Sequence, residues 1–170
     1  MRRVLVLLLV ATALVTVAGC GSSKSSSSVT PPSSSGQAHI HFAKTKFVLH
    51  AGLAFGAFHR WIYKPFKAGD FSHPLRHKLD VVKALAAAAF VSHEVLLARQ
   101  DVGASKLLRR VVLPLVTIGG AVAVIRSALK SHQAPSASTV GSANSSISTV
   151  KSDSASGGAP IHETTVGAPI

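Results

Sequence analysis

Residues 105–131 read SKLLRRVVLPLVTIGGAVAVIRSALKS. From Val111 to Ile125 the segment has no charged side chain, and Thr117 is its one hydroxyl. An apolar run of this length exceeds a buried strand and suits a helix. Ser105 is a plausible cap, and Pro114 should kink or delay the helix because it removes a backbone donor. A helix that is apolar all round must be covered, either by protein or by lipid.

Two further segments upstream fit the same scheme. The first spans about 44–64 and stops at Pro65, which disfavours continuation. At 100° per residue, Phe47, His50, Ala51, Ala54, Phe58, Trp61 and Ile62 share one face, with Gly52, Gly56, His59, Arg60 and Tyr63 mostly opposite. The second spans about 74–99, with Pro74 in its first turn and Ser72 or His73 as cap. It is favoured by the alanines 86–89. Asp80, Lys83, Ala87 and Glu94 form a narrow polar stripe that reads as a solvated face, whereas His93 lies with Val82, Ala86 and Ala89. The expected fold is all-α: a small three-helix bundle, or a helical hairpin plus an apolar third helix, in residues 38–130.

The flanks differ sharply in composition. Residues 20–37 hold a Ser-rich stretch suited to a flexible linker. Residues 131–170 are rich in Ser, Gly, Ala and Pro without a sustained apolar period, which predicts a disordered tail.

The chain begins MRRVLVLLLVATALVTVAGC. Arg2 and Arg3 precede an apolar run from Val4 to Val17, and small residues lead to Cys20. This is the layout of a secretory signal in residues 1–19, with an apolar core too short to make a good spanning helix. Val17-Ala18-Gly19-Cys20 resembles the lipobox of bacterial lipoproteins. The resemblance covers about twenty residues and implies diacylglycerol on the Cys20 thiol, cleavage before it, and a mature chain tethered to the outer face of the cell membrane or to a periplasmic membrane face. Cys20 is the only cysteine, so no disulfide can form within the chain. Two acyl chains give stable anchoring where one is marginal.

The chain carries 18 basic against 6 acidic residues, and 16 against 6 once Arg2 and Arg3 are removed. A basic exported protein meets anionic lipid, an acidic wall polymer or a membrane protein; nucleic acid is excluded as a partner by the export signal. Three spanning helices would place four basic residues in each interhelical loop, so no positive-inside bias supports them. Asp80, Lys83, His93 and Glu94 would be expensive in hydrocarbon. Yet so apolar a bundle would expose a large patch in water. The preferred reading is a bundle lying on or partly in a membrane. Gly52-x-x-x-Gly56 permits close helix contact.

Candidate sites are few. The stretch KPFKAGDFSHPLRHK places Phe66 and Phe71 among Lys64, Lys67, Arg76 and Lys78, a composition suited to rings dipping into an interface while cations meet phosphate. His39 and His41 could chelate copper or zinc from an extended backbone. His50 and His93 each occupy an apolar face and could hold a haem or metal between helices, or be buried imidazoles bonded to backbone or to a neighbour such as Tyr63 or Glu94. No metal site and no cofactor is assigned. There is no nucleophile elbow, H-E-x-x-H pair, phosphate loop or dinucleotide fingerprint, so no catalytic residues are assigned and no enzyme is expected. The functional reading is a lipid-anchored, non-enzymatic binding or structural module at the membrane surface. The alternatives are a small haem- or metal-binding lipoprotein using His50 and His93, and an accessory subunit docking through its apolar third helix.

Overall fold

The computed structural model describes residues 35–103, 106–164 and 167, with side chains from residue 42 on except 104–107. The segment expected to direct export, Cys20, the expected linker up to residue 34 and the expected cap Ser105 lie outside the described residues, and residues 35–37, expected to end the linker, already belong to a helix. Five α-helices, one π turn and two 3-10 turns make up the described structure: α1 Ser35–Phe58, a π turn His59–Tyr63, α2 Lys64–Ala68, a 3-10 turn Asp70–Ser72, α3 Lys78–Val102, a 3-10 turn Lys106–Val111, α4 Val112–Lys130 and α5 Ala137–Ser156. No strand occurs among the described residues, so the fold is all-α.

The predicted inner face of the first helix is largely buried, but burial is wider than predicted: Phe55 and Ala57 are also inside, as are Gly52 and Gly56 from the side expected to lie opposite, while His50 is partly exposed. Phe47, Ala51, Ala54, Phe58 and Ile62 are fully buried against α3. The helix runs past the expected stop at Pro65. The π turn, in which the Lys64 amide donates to the His59 carbonyl, widens the spiral just before a residue that cannot donate. The run ends at Gly69, whose φ of +83° suits glycine. Pro74 sits in a turn closed by the His73 carbonyl rather than in a helix, so α3 starts four residues later than expected, without a side-chain cap. Pro114 falls on the third residue of α4, where its missing donor has no partner to lose. It delays the helix behind a 3-10 turn.

The tail corrects the expectation of disorder. Residues 137–156 form α5, capped by Ser136, whose hydroxyl accepts from the Thr139 amide at 3.2 Å. Val140, Ala143, Ile147, Val150 and Ser154 are buried, a row spaced alternately by three and four residues. It meets a row of the same spacing on α4: Leu115, Ile118, Val122, Ile125 and Leu129. The core therefore belongs to four packed helices, not three, with each of α1, α3, α4 and α5 against the next.

After α5 the chain turns at Gly158 (φ +71°) and runs back along α1 as an extended strap to Thr164. Ala159 and Ile161 are buried in the main core. The Thr164 amide donates to the Gly52 carbonyl at 3.1 Å, and Lys44 Nζ donates to the Gly157 carbonyl at 3.1 Å. A Cβ at Gly52 would lie 2.5 Å from the His162 carbonyl oxygen, and one at Gly56 would run into that of Thr164. The Gly-x-x-x-Gly pair thus seats an extended backbone rather than a second helix.

Ile147→Ala removes a fully buried side chain from α5 and should cost about 2–5 kcal/mol of unfolding free energy. Exposed Ser148→Ala should stay within about 0.5 kcal/mol. Urea midpoints that move for Ile147→Ala alone support a folded tail; two unmoved midpoints contradict it.

Candidate functional site

The helices differ in what they present to solvent. On α3, Leu79, Val82 and Leu96 are at least half exposed, and Ala89 and His93 are exposed in the same row. On α4, Leu113, Val116 and Val124 are exposed beside Gly120 and Ala123. The outer surface of α5 is instead coated by Ser138, Ser142, Ser145, Ser148, Thr149, Ser152 and Ser156. The bundle is therefore amphipathic as a whole. α3 and α4 are the two described helices long and apolar enough to cross a membrane by length and composition, and only 28% of the apolar window that ends α4 is buried.

Cations bracket this apolar face lengthwise. Because α3 and α4 are consecutive and packed together, the start of one lies beside the end of the other. Arg76, Lys78, Arg126 and Lys130 are exposed at that end. Arg99, Arg109 and Arg110 are exposed at the opposite end. Between Arg110 and Arg126 no residue carries a charge, over roughly 22 Å at 1.5 Å per residue.

The basic loop contributes differently from expectation. Lys64, Lys67, Arg76 and Lys78 are exposed as predicted, but Phe71 is buried and Phe66 packs half-buried against the core. Phe71 joins Phe47, Phe55 and Phe58 in filling the core, and Phe66 packs against it, which withdraws these two rings from any interface. Leu75, 74% exposed, takes their place among the cations.

The histidines also move. His39 and His41 lie on helical backbone within α1, not on the extended chain their chelating geometry requires. His93 is exposed, whereas the neighbouring Glu94 is buried and bonds His50: Nδ1 lies 2.7 Å from Oε2. Successive helix residues are about 100° apart, so His50 and His93 address different faces and form no shared ligand pair. Of the neighbours considered for these histidines, Glu94 rather than Tyr63 is the one His50 meets, and this contact corrects the solvated reading of the Asp80-Lys83-Ala87-Glu94 stripe. Ala87 and Glu94 are buried facing α1, and Lys83 stands over the Trp61 ring at 5.6 Å. Asp101 Oδ2 is 3.9 Å from His50 Nε2, beyond hydrogen-bond reach, and is buried without a partner. Among the described residues no three His, Cys, Asp or Glu side chains converge in a metal-binding group.

A second polar cluster was not foreseen. Glu163, on the strap, accepts from Lys151 Nζ of α5 at 2.7 Å and lies 2.7 Å from His59 Nδ1 on the π turn. His59 Nε2 is 2.9 Å from the Asn144 side-chain oxygen. Both ring nitrogens of His59 thus have a polar partner. The cluster ties α1, α5 and the strap together beside a cavity of about 230 Å³ lined by Gly56, His59, Arg60, Lys64, Glu163 and Thr164. The available signal was one of only two acidic residues in a tail short of charge, together with two glycines one turn apart on α1.

Partial burial pushes the Glu163 carboxyl upward, but hydrogen bonds from Lys151 and His59 and their positive charge outweigh it, leaving its pKa below the ordinary value of 4.5. A carboxylate depressed in the folded state stabilises above its unfolded pKa, and that stabilisation is lost as pH falls through the folded value. Amide exchange at Thr164 should therefore quicken as pH drops from about 5 to 3, beyond the intrinsic trend, and Glu163→Gln should show the faster state already at pH 7. Equal protection in both proteins at pH 7 contradicts a role for the Glu163 cluster in holding the strap. Comparison with protein-family models, curated proteins and solved structures finds no match to this chain.

Proposed function

We propose that this chain is an exported helical module, anchored through a lipid on Cys20, which works without catalysis at the outer face of a membrane as a binding or structural protein. The observation that carries the reading is the outer face of α3 and α4, apolar along its length and cationic at both ends. Each exposed Lys or Arg near an anionic surface contributes about 1 kcal/mol, and the apolar side chains add burial at the acyl boundary. The lipid supplies attachment; the face orients the bundle with the hydroxyl-coated α5 turned toward the aqueous side. The haem or metal reading draws no support from His50 and His93, which do not face each other.

The same face supports a second reading, in which α4 docks against an integral membrane protein, since apolar helices with small residues pack closely in lipid. The two readings part in a reconstituted system. Residues 21–170, which contain the whole described bundle but no lipidation site, are mixed with purified vesicles. The membrane-surface reading predicts flotation with anionic vesicles, weaker flotation with neutral ones, release by high salt or alkaline carbonate, and loss of flotation in Leu96→Asp/Val124→Asp. Failure to float with any vesicle, while native membranes retain the same fragment, favours the docking reading. Failure in both leaves the acyl anchor alone and contradicts the proposal.

A further inference from the structure

Where α3 begins and α4 ends, the chain leaves a cavity of about 370 Å³, within the range of roughly 300–1,000 Å³ typical of small-molecule clefts. Its walls are apolar: Leu75, Val82, Leu85 and Leu129 among them. Its polar lining consists of Lys78, Lys130 and His132, with no carboxylate. None of these three makes an ion pair or side-chain hydrogen bond among the described residues. The carboxylates nearest in sequence, Asp70 and Asp80, lie instead 3.8 and 3.5 Å from His77 Nδ1. The uncapped start of α3, whose first residue is Lys78, adds a positive helix end beside the same rim.

His132 adds an independent sign. It follows the end of α4 with φ +54°, the one non-glycine residue with positive φ among those described. The chain meets the same requirement with glycine after α2 (Gly69) and after α5 (Gly158). At the helix end that borders this cavity it keeps an imidazole instead. Histidine is among the few non-glycine residues that adopt this conformation readily, and here it sets an imidazole on the cavity lining.

We infer that this cavity binds a single-chain anionic amphiphile, such as a fatty acid. The acyl chain lies along Leu75, Val82, Leu85 and Leu129, and the carboxylate is held by Lys78, Lys130 and the His132 ring. The inference deepens the membrane-surface reading by naming a ligand, yet its test needs no membrane.

The test titrates residues 21–170 with oleate below its micellar concentration, followed calorimetrically, with oleyl alcohol as the uncharged comparison. Saturable 1:1 oleate binding is expected, with oleyl alcohol at least about tenfold weaker, a difference of 1.4 kcal/mol. His132→Gly should fold with an undiminished Tm and bind oleate about tenfold more weakly. Lys78→Ala/Lys130→Ala should show the same loss with α-helical content unchanged. No saturable oleate binding, equal affinity for the alcohol, or wild-type affinity in both folded variants overturns the assignment. Leu96→Asp/Val124→Asp separates the two proposals: it should lose vesicle flotation and keep oleate binding. Oleate binding without flotation in the wild type would sink the membrane-surface reading and leave the cavity site standing.

Discussion

The described fold depends on one seam, the meeting of two alternating three-and-four rows on α4 and α5. Leu115, Ile118, Val122, Ile125 and Leu129 are wholly or almost wholly buried, and without α5 the side of α4 that packs against it would lose its cover. α5 is an unusual covering element, because serine, threonine and glycine supply most of its length. Its hydroxyls are satisfied along the helix, as where Ser148 and Thr149 donate to carbonyls four residues back, so a sequence of weak helix formers is held by packing rather than by propensity. The strap then fixes the far edge of α5 to α1 through Glu163, His59 and Lys151.

That seam decides which surfaces remain open. Of the four long helices, α5 turns hydroxyls outward while α3 and α4 turn leucine, valine and alanine outward. A soluble monomer seldom shows so continuous an apolar strip, and single exposed leucines would need no account. The placement of Arg99, Arg109 and Arg110 at one end and Arg76, Lys78, Arg126 and Lys130 at the other gives the strip the profile of an interfacial surface. It also accounts for the even division of basic residues between the two loops: both ends of the strip are charged.

Much of the fold was legible where apolar residues are dense. Phe47, Ala51, Ala54, Phe58 and Ile62 were legible as buried positions, as was the delay imposed by Pro114, because helical spacing of large side chains leaves few alternatives, whereas the burial of Gly52, Phe55 and Gly56 on the other side was not. α5 was hidden because its row is only one residue in three or four, and the small polar residues between dilute the average hydropathy. The spacing from Val140 to Val150, with Ser136 as cap, carried the information that composition concealed. The site was less legible than the fold. Phe66 and Phe71 looked interfacial from their neighbours in sequence, but volume to be filled inside the bundle took precedence. His50 and Glu94 were joined by tertiary packing across 44 residues, and Glu163 by a strap whose course no local pattern announces.

The central claim is that α3 and α4 turn toward lipid while α5 turns away. Residues 21–170 contain no cysteine, so single cysteines at Leu96, Val116, Ser145 and Ser148 can each carry a fluorophore. The measurement is its quenching by a quencher confined to the acyl region of anionic vesicles. The account predicts strong quenching at 96 and 116 and little at 145 and 148. Equal quenching at all four positions, or stronger quenching on α5, would contradict it.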